Sequence, residues 1–145
     1  MTLVTWGADI GSTSSNLEYF LLPFASASSL VTQSNQAIPW TNNSYYQAGI
    51  SIGFAECVEF ERVLISIGAS SSSPIVSFTV RIYRLKNGNR DCKWSQKLVF
   101  SGNTQTCCND LDLRIKPGQQ LLVSVVPNSS LINSTIDYWM NVTLQ

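Results

Sequence analysis

Val76, Phe78, Val80 and Ile82 alternate with Ser77, Thr79, Arg81 and Tyr83. A period of two sends one set of side chains into a core and the other toward water, the pattern of a β-strand with one covered face. It returns in Trp94–Phe100, in Leu111, Leu113 and Ile115, and in Ile136, Tyr138, Met140, Val142 and Leu144. Nowhere in the 145 residues does an apolar stripe at helical spacing persist for three turns, so an all-β chain is expected. Turn signals separate the strands: Lys86-Asn-Gly-Asn89, Ser101-Gly102-Asn103 and Pro117-Gly118. The serine-rich stretch Ala69–Pro74 reads as a loop. About eight to ten short strands joined in this way form a β sandwich or barrel, and a jelly roll is the leading topology.

A second kind of strand sharpens the expectation. Leu121, Leu122, Val123, Val125 and Val126, and likewise Val63, Leu64, Ile65 and Ile67, place apolar groups on both faces. Strands of this kind must be covered twice. We therefore expect Leu121–Val126 to lie with Val63–Ile67 in an inner sheet whose far face meets other copies of the chain, and Leu111–Ile115 to lie with Val76–Ile82 in an outer sheet. Val63, Ile65, Leu122 and Trp139 are the candidate trimer-interface residues. Trp139 points away from the apolar row of its own strand, toward a subunit interface or a stacked ligand.

The length suits one domain, with residues 1–16 expected to be an arm or connector and 17–145 a single jelly roll. Charged residues are 12% of the chain, about half the usual share of about 25%. Nine basic residues balance nine acidic ones, and no basic run exists, so neither nucleic acid nor anionic lipid is an expected partner. No apolar stretch is long enough to span a bilayer as a helix, and the first residues do not read as a secretory signal. Export with signal removal, or assembly into a spore coat or virion, are the two routes that remain.

The chain has no histidine, which removes the commonest general base and the Ser-His and Cys-His nucleophile pairs. Paired carboxylates occur at Glu56, Glu59 and Glu61 and at Asp110 with Asp112. A glycosidase would need two as acid and base, but Asp110 and Asp112 sit opposite Leu111 and Leu113 on a strand and read as a solvated face. No catalytic residue, resident metal or cofactor is expected. Cys57, Cys92, Cys107 and Cys108 are disulfide candidates; bonding Cys92 to Cys107 or Cys108 would close a loop of about fifteen residues, stabilising by about 3 kcal/mol. Free thiols, a bond between chains and a zinc site are the alternatives. Trp40, Tyr45 and Tyr46, near loops, are candidates for stacking on a ligand such as a sugar. Sequons occur at Asn42, Asn128, Asn133 and Asn141, as chance permits in a chain rich in Asn, Ser and Thr.

Leu21-Leu22-Pro23-Phe24-Ala25-Ser26, followed by Ala48-Gly49-Ile50-Ser51-Ile52-Gly53-Phe54, resembles the opening of the C-terminal domain of BclA-type collagen-like exosporium glycoproteins. Ser77–Arg84 and Lys116–Val126 resemble two later strands of that family in order and spacing. Ala27 and Ala55 stand where the family pattern has glycine, and the cysteines lie outside it. The resemblance implies a tumour-necrosis-factor-like jelly roll forming a homotrimer at the tip of a surface filament, with no catalytic residues. The resulting expectation is a non-enzymatic structural or adhesive module on an extracellular surface, its arm contacting a stalk or filament protein and its exposed face open to surface glycans. The alternative is a carbohydrate- or receptor-binding head of a viral or phage fibre.

Overall fold

The computed structural model describes residues 3–11, 17–25, 37–39, 51–128 and 135–145. Among these, nine strands follow in order: β1 (Val4–Gly11), β2 (Tyr19–Phe20), β3 (Leu22–Pro23), β4 (Ile38–Pro39), β5 (Ile52–Gly53), β6 (Val58–Lys86), β7 (Asn89–Ile115), β8 (Gln120–Pro127) and β9 (Tyr138–Leu144). Every pairing is antiparallel.

The long hairpin β6–β7 organises the rest. Its tip is Asn87-Gly88, with φ of 51° and 80°. That is the left-handed pair a type I′ turn requires and that Asn-Gly supplies at least cost. Midway along, the pairing loses register between Gly68 and Ser73 and between Ser73 and Val76, where Ser73 faces Gly102. Gly102 has φ +83°. Bulges bend a strand and raise its twist, and here the hairpin turns its corner. The serine stretch and Ser101-Gly102-Asn103, expected as a loop and a turn, are therefore the two sides of one corner in continuous strands.

Beyond the corner the hairpin serves two sheets. The first runs β3-β1-β9, then Val58–Ala69 of β6, then residues 104–115 of β7. The second runs β4-β2-β8, then residues 76–86 of β6, then residues 89–102 of β7, with β5 also on β8. Pairing is nested: β1 with β9, β2 and β5 with β8, and β6 with β7. A strand ribbon folded over on itself in this way is a jelly roll.

The expected sheet membership is exchanged. Leu121–Val126 pairs with residues 79–84, and Leu111–Ile115 starts from the pairing of Val58 with Ile115. Alternation reports which face of a strand is covered, not which strand lies beside it, so β8 and the second half of β7 were free to change places. The far face of β8 is closed by this chain itself: Phe20, Tyr83, Leu85 and Leu122 form a second apolar cluster on the outside of the second sheet, with Leu22 against it.

Residues 4–11 are not an arm. Val4, Trp6, Ala8 and Ile10 are at most 4% exposed, and β1 pairs along its length with β9. The sequence Val-Thr-Trp-Gly-Ala-Asp-Ile does alternate by size, but its small inward Ala8 weakens the apolar signal. Gly7 is required by close approach: a Cβ there would come within 2.6 Å of the Ala25 carbonyl oxygen and meet Asn141 Oδ1.

Candidate functional site

The strands of the first sheet send Tyr138, Met140, Val142 and Leu144, and Val63, Ile65 and Ile67, into the core. Their neighbours must face out. Register then joins the outward groups into one surface: Trp139 beside Gly68, Thr143 beside Leu64, Leu64 beside Cys108, and Ser66 beside Thr106. Thr5 Oγ1 and Thr143 Oγ1 lie 3.0 Å apart in a hydrogen bond across it. This stretch offers hydroxyls, a thiol, a leucine and an indole. Asp9, opposite Trp139, is 1% exposed, and Asp137, two residues before Trp139, lies beside Ser70 at one end of the stretch. Charge resumes at its other end, where Arg62 lies opposite Asp110.

Trp139 is half-buried because its indole lies on the backbone of Gly68; a Cβ on Gly68 would fall within the ring. The strand offers a glycine where the ring needs a flat floor. Gly68→Ala is expected to lift the indole from the sheet and cost about 1–3 kcal/mol, as overpacking does. A lowered urea midpoint together with red-shifted tryptophan emission would check it.

The outside of the second sheet is built differently. Glu18, just before β2, accepts hydrogen bonds at Oε2 from Tyr83 Oη (2.6 Å) and Ser124 Oγ (2.7 Å), and at Oε1 from Arg90 Nη1 (2.7 Å). Arg81 Nη1 is 3.6 Å from Oε2. The Arg90 guanidinium lies 4.4 Å from the centroid of the Tyr83 ring and 5.9 Å from that of Phe20. Burial, the largest influence on Glu18, pushes its carboxyl up; the bonds from Tyr83 and Ser124 and the charge and bond of Arg90 together bring it below the usual carboxylate value. Burial and the facing carboxylate push the Tyr83 hydroxyl above its usual value. Reading the sequence missed this cluster. Arg81 and Tyr83 were visible as outward residues, but Glu18 is 65 residues from Tyr83 and 106 from Ser124, and only tertiary structure joins them.

Three of the four interface candidates are unavailable to a partner. Val63 and Ile65 are 0% exposed within the sandwich, and Leu122 is 0% exposed within the second cluster. Trp139 lies on the outer surface of the first sheet. Trp40, Tyr45 and Tyr46 lie outside the described residues, as do the sequons at Asn42 and Asn133.

All four cysteines are free, with Cys57, Cys92 and Cys108 exposed and Cys107 partly buried. The intrachain staple expected between Cys92 and Cys107 or Cys108 is not present. Cys92 pairs with Tyr83 in the second sheet, whereas Cys107 and Cys108 pair with Ile65 and Leu64 in the first. Cys107 Sγ instead accepts a hydrogen bond from Asn109 Nδ2 at 2.9 Å. Glu59 is bonded by Arg114 Nε (3.0 Å) and Nη2 (2.6 Å) in the open, while Glu56, Glu61, Asp110 and Asp112 are exposed. Among the described residues, no cluster of three metal-ligating side chains is found, and no helix is long and apolar enough to cross a membrane.

No family model and no curated protein matches this chain. Among solved structures, it is similar to murine APRIL at pH 8.5, at 11% identity and a TM-score of 0.40, covering 99% of this chain and 100% of the other. Murine APRIL at pH 5.0 gives 11% identity, a TM-score of 0.39 and the same coverages of 99% and 100%. Eiger TNF from S. frugiperda gives 8%, a TM-score of 0.34, and coverages of 100% and 94%. The jelly-roll assignment rests on the nested pairing of this chain's own strands.

Proposed function

We propose that this chain is a non-enzymatic, tumour-necrosis-factor-like head module that assembles as a homotrimer through the outer surface of its first sheet. The observation that carries the reading is the low charge of the surface around Leu64, Ser66, Cys108, Trp139 and Thr143. Around a threefold axis the residues nearest the axis meet their own copies, so an exposed charge there would meet its like. Hydroxyls, a leucine and an indole meet their own copies without that penalty, and Trp139 supplies the aromatic anchor typical of such contacts. On the second sheet, Tyr83, Leu85 and Leu122 are already covered by Phe20 and Leu22, although Val99 stands open at 57% exposed.

The place that fits this module is an extracellular surface, as the head of a spore exosporium or appendage filament, in keeping with the Pro23-Phe24-Ala25-Ser26 resemblance. Trp139, flat on Gly68 with part of its ring open, supports a second reading as a sugar-stacking platform of a viral or phage fibre head. Native mass spectrometry of the full chain, paired with a glycan array, separates the two. A species of three chains with no glycan bound supports the structural head. A single chain that loses glycan binding on Trp139→Ala would support the fibre reading and overturn the trimer.

A further inference from the structure

Residues 17–23 form a strap that crosses from the second sheet to the first. Its backbone anchorage is in short pieces: β2 pairs two residues with β8 and two with β4, β3 pairs two with β1, and Leu21 N donates to Val123 O at 3.0 Å between them. Beneath it lie Tyr83, Leu85 and Leu122, covered by the Phe20 ring, whose centroid is 6.5 Å from that of Tyr83. We propose that Glu18 is an acid-released latch: its carboxylate ties the strap to β6, β7 and β8, and protonation frees the strap and uncovers the apolar surface of Tyr83, Leu85 and Leu122.

The chemistry of the partners carries this. Both carboxylate oxygens are engaged by donors, from Tyr83 on β6, Arg90 on β7 and Ser124 on β8, and Arg81 on β6 adds a second cation. A proton added to Glu18 must enter an oxygen that already accepts. The two hydroxyls can turn to accept it, but the guanidiniums cannot, because arginine has no acceptor. Arg90, with a side chain 21% exposed, then loses its charge-assisted bond to Oε1, and Arg81 loses the carboxylate charge beside it. Removing one partner of a buried ion pair costs far more than the pair contributed.

Other charged groups nearby do not duplicate the latch. Asp91 is exposed and paired with Lys93 at 2.5 Å, and Cys92, also exposed, lies beside Tyr83 in the register. Because the native carboxyl of Glu18 lies below its usual value, the latch contributes fully above about pH 4.5 and is lost as pH falls through the native value. Tyr83, pushed up, keeps its proton throughout that range.

The test is binding of an apolar fluorescent dye, with far-ultraviolet circular dichroism, from pH 7 to pH 3. Wild type is expected to gain several-fold dye fluorescence below about pH 4.5 while the strand signal persists. Glu18→Gln is expected to bind dye already at pH 7 and to show no acid step. Ser124→Ala removes one donor without disturbing either arginine, and should move the wild-type midpoint upward. Asp91→Asn should leave it in place. An acid step that is the same in wild type and Ser124→Ala, or dye binding that begins only when the strand signal is lost, would overturn the latch.

Discussion

Tyr138→Ala is expected to destabilise the fold by about 3–5 kcal/mol, the range for emptying an aromatic site in a core. Tyr138 is 1% exposed and stands on β9 in the first sheet. Its ring meets Phe78 of the second sheet edge-on at 5.7 Å and Phe100 at 6.0 Å. It therefore joins the two layers near the corner of the long hairpin. The hydroxyl lies 2.7 Å from Ser73 Oγ, which gives its own proton to Pro74 O at 2.8 Å. Tyr138 is thus the donor in that bond, and the bond fixes the corner residue that faces Gly102. Tyr138→Phe keeps the ring and the Ser73–Pro74 bond, and should cost only about 1 kcal/mol. Urea unfolding of both variants checks the pair; equal losses would show that the hydroxyl, not the ring, holds the layers.

In the proposed trimer, Ser66→Arg is expected to yield folded single chains whose strand signal by circular dichroism matches that of the unmutated chain. Ser66 is half-buried, outward, and flanked by Thr106 in the register, so a long side chain there extends into solvent without entering the sandwich. Across a threefold axis it brings three cations together. At separations of about 7 Å and a near-surface dielectric constant of about 20, each like-charge pair costs about 2 kcal/mol. Three such pairs shift an association equilibrium by several powers of ten. Arg81→Ser, a charge change on the second sheet, should leave the assembly intact. Sedimentation velocity of the two variants at equal concentration reads both outcomes.

The sequence carried the strand faces well and the strand neighbours poorly. Val76, Phe78, Val80 and Ile82 are all at most 6% exposed, as their alternation with polar residues requires. The Asn87-Gly88 tip and the Pro117-Gly118 turn, where Gly118 has φ +89° and Gln119 N bonds Lys116 O at 3.0 Å, follow from turn chemistry alone. Topology did not follow, because a period of two is indifferent to which sheet a strand joins. The doubly apolar β8 was the instructive failure: its second cover is Phe20, about a hundred residues away, on a strand of only two residues whose apolar run is too short to announce a partner. Glu18 was invisible for the same reason, since its donors lie on three other strands. Trp139 was legible, because a large aromatic opposite a row of core residues can only face outward.

Cys108 gives the most direct measurement of where the copies meet. It is exposed in the single chain and lies beside Leu64 on the proposed contact surface, whereas exposed Cys92 lies beside Tyr83 in the second sheet. Alkylation of the native full chain under reducing conditions, followed residue by residue by mass spectrometry, compares the two. Cys108 is expected to react at least about tenfold more slowly than Cys92 in the native particle, a difference of about 1.4 kcal/mol in protection, and to catch up in Ser66→Arg. Equal rates in the native particle would contradict assembly through the first sheet.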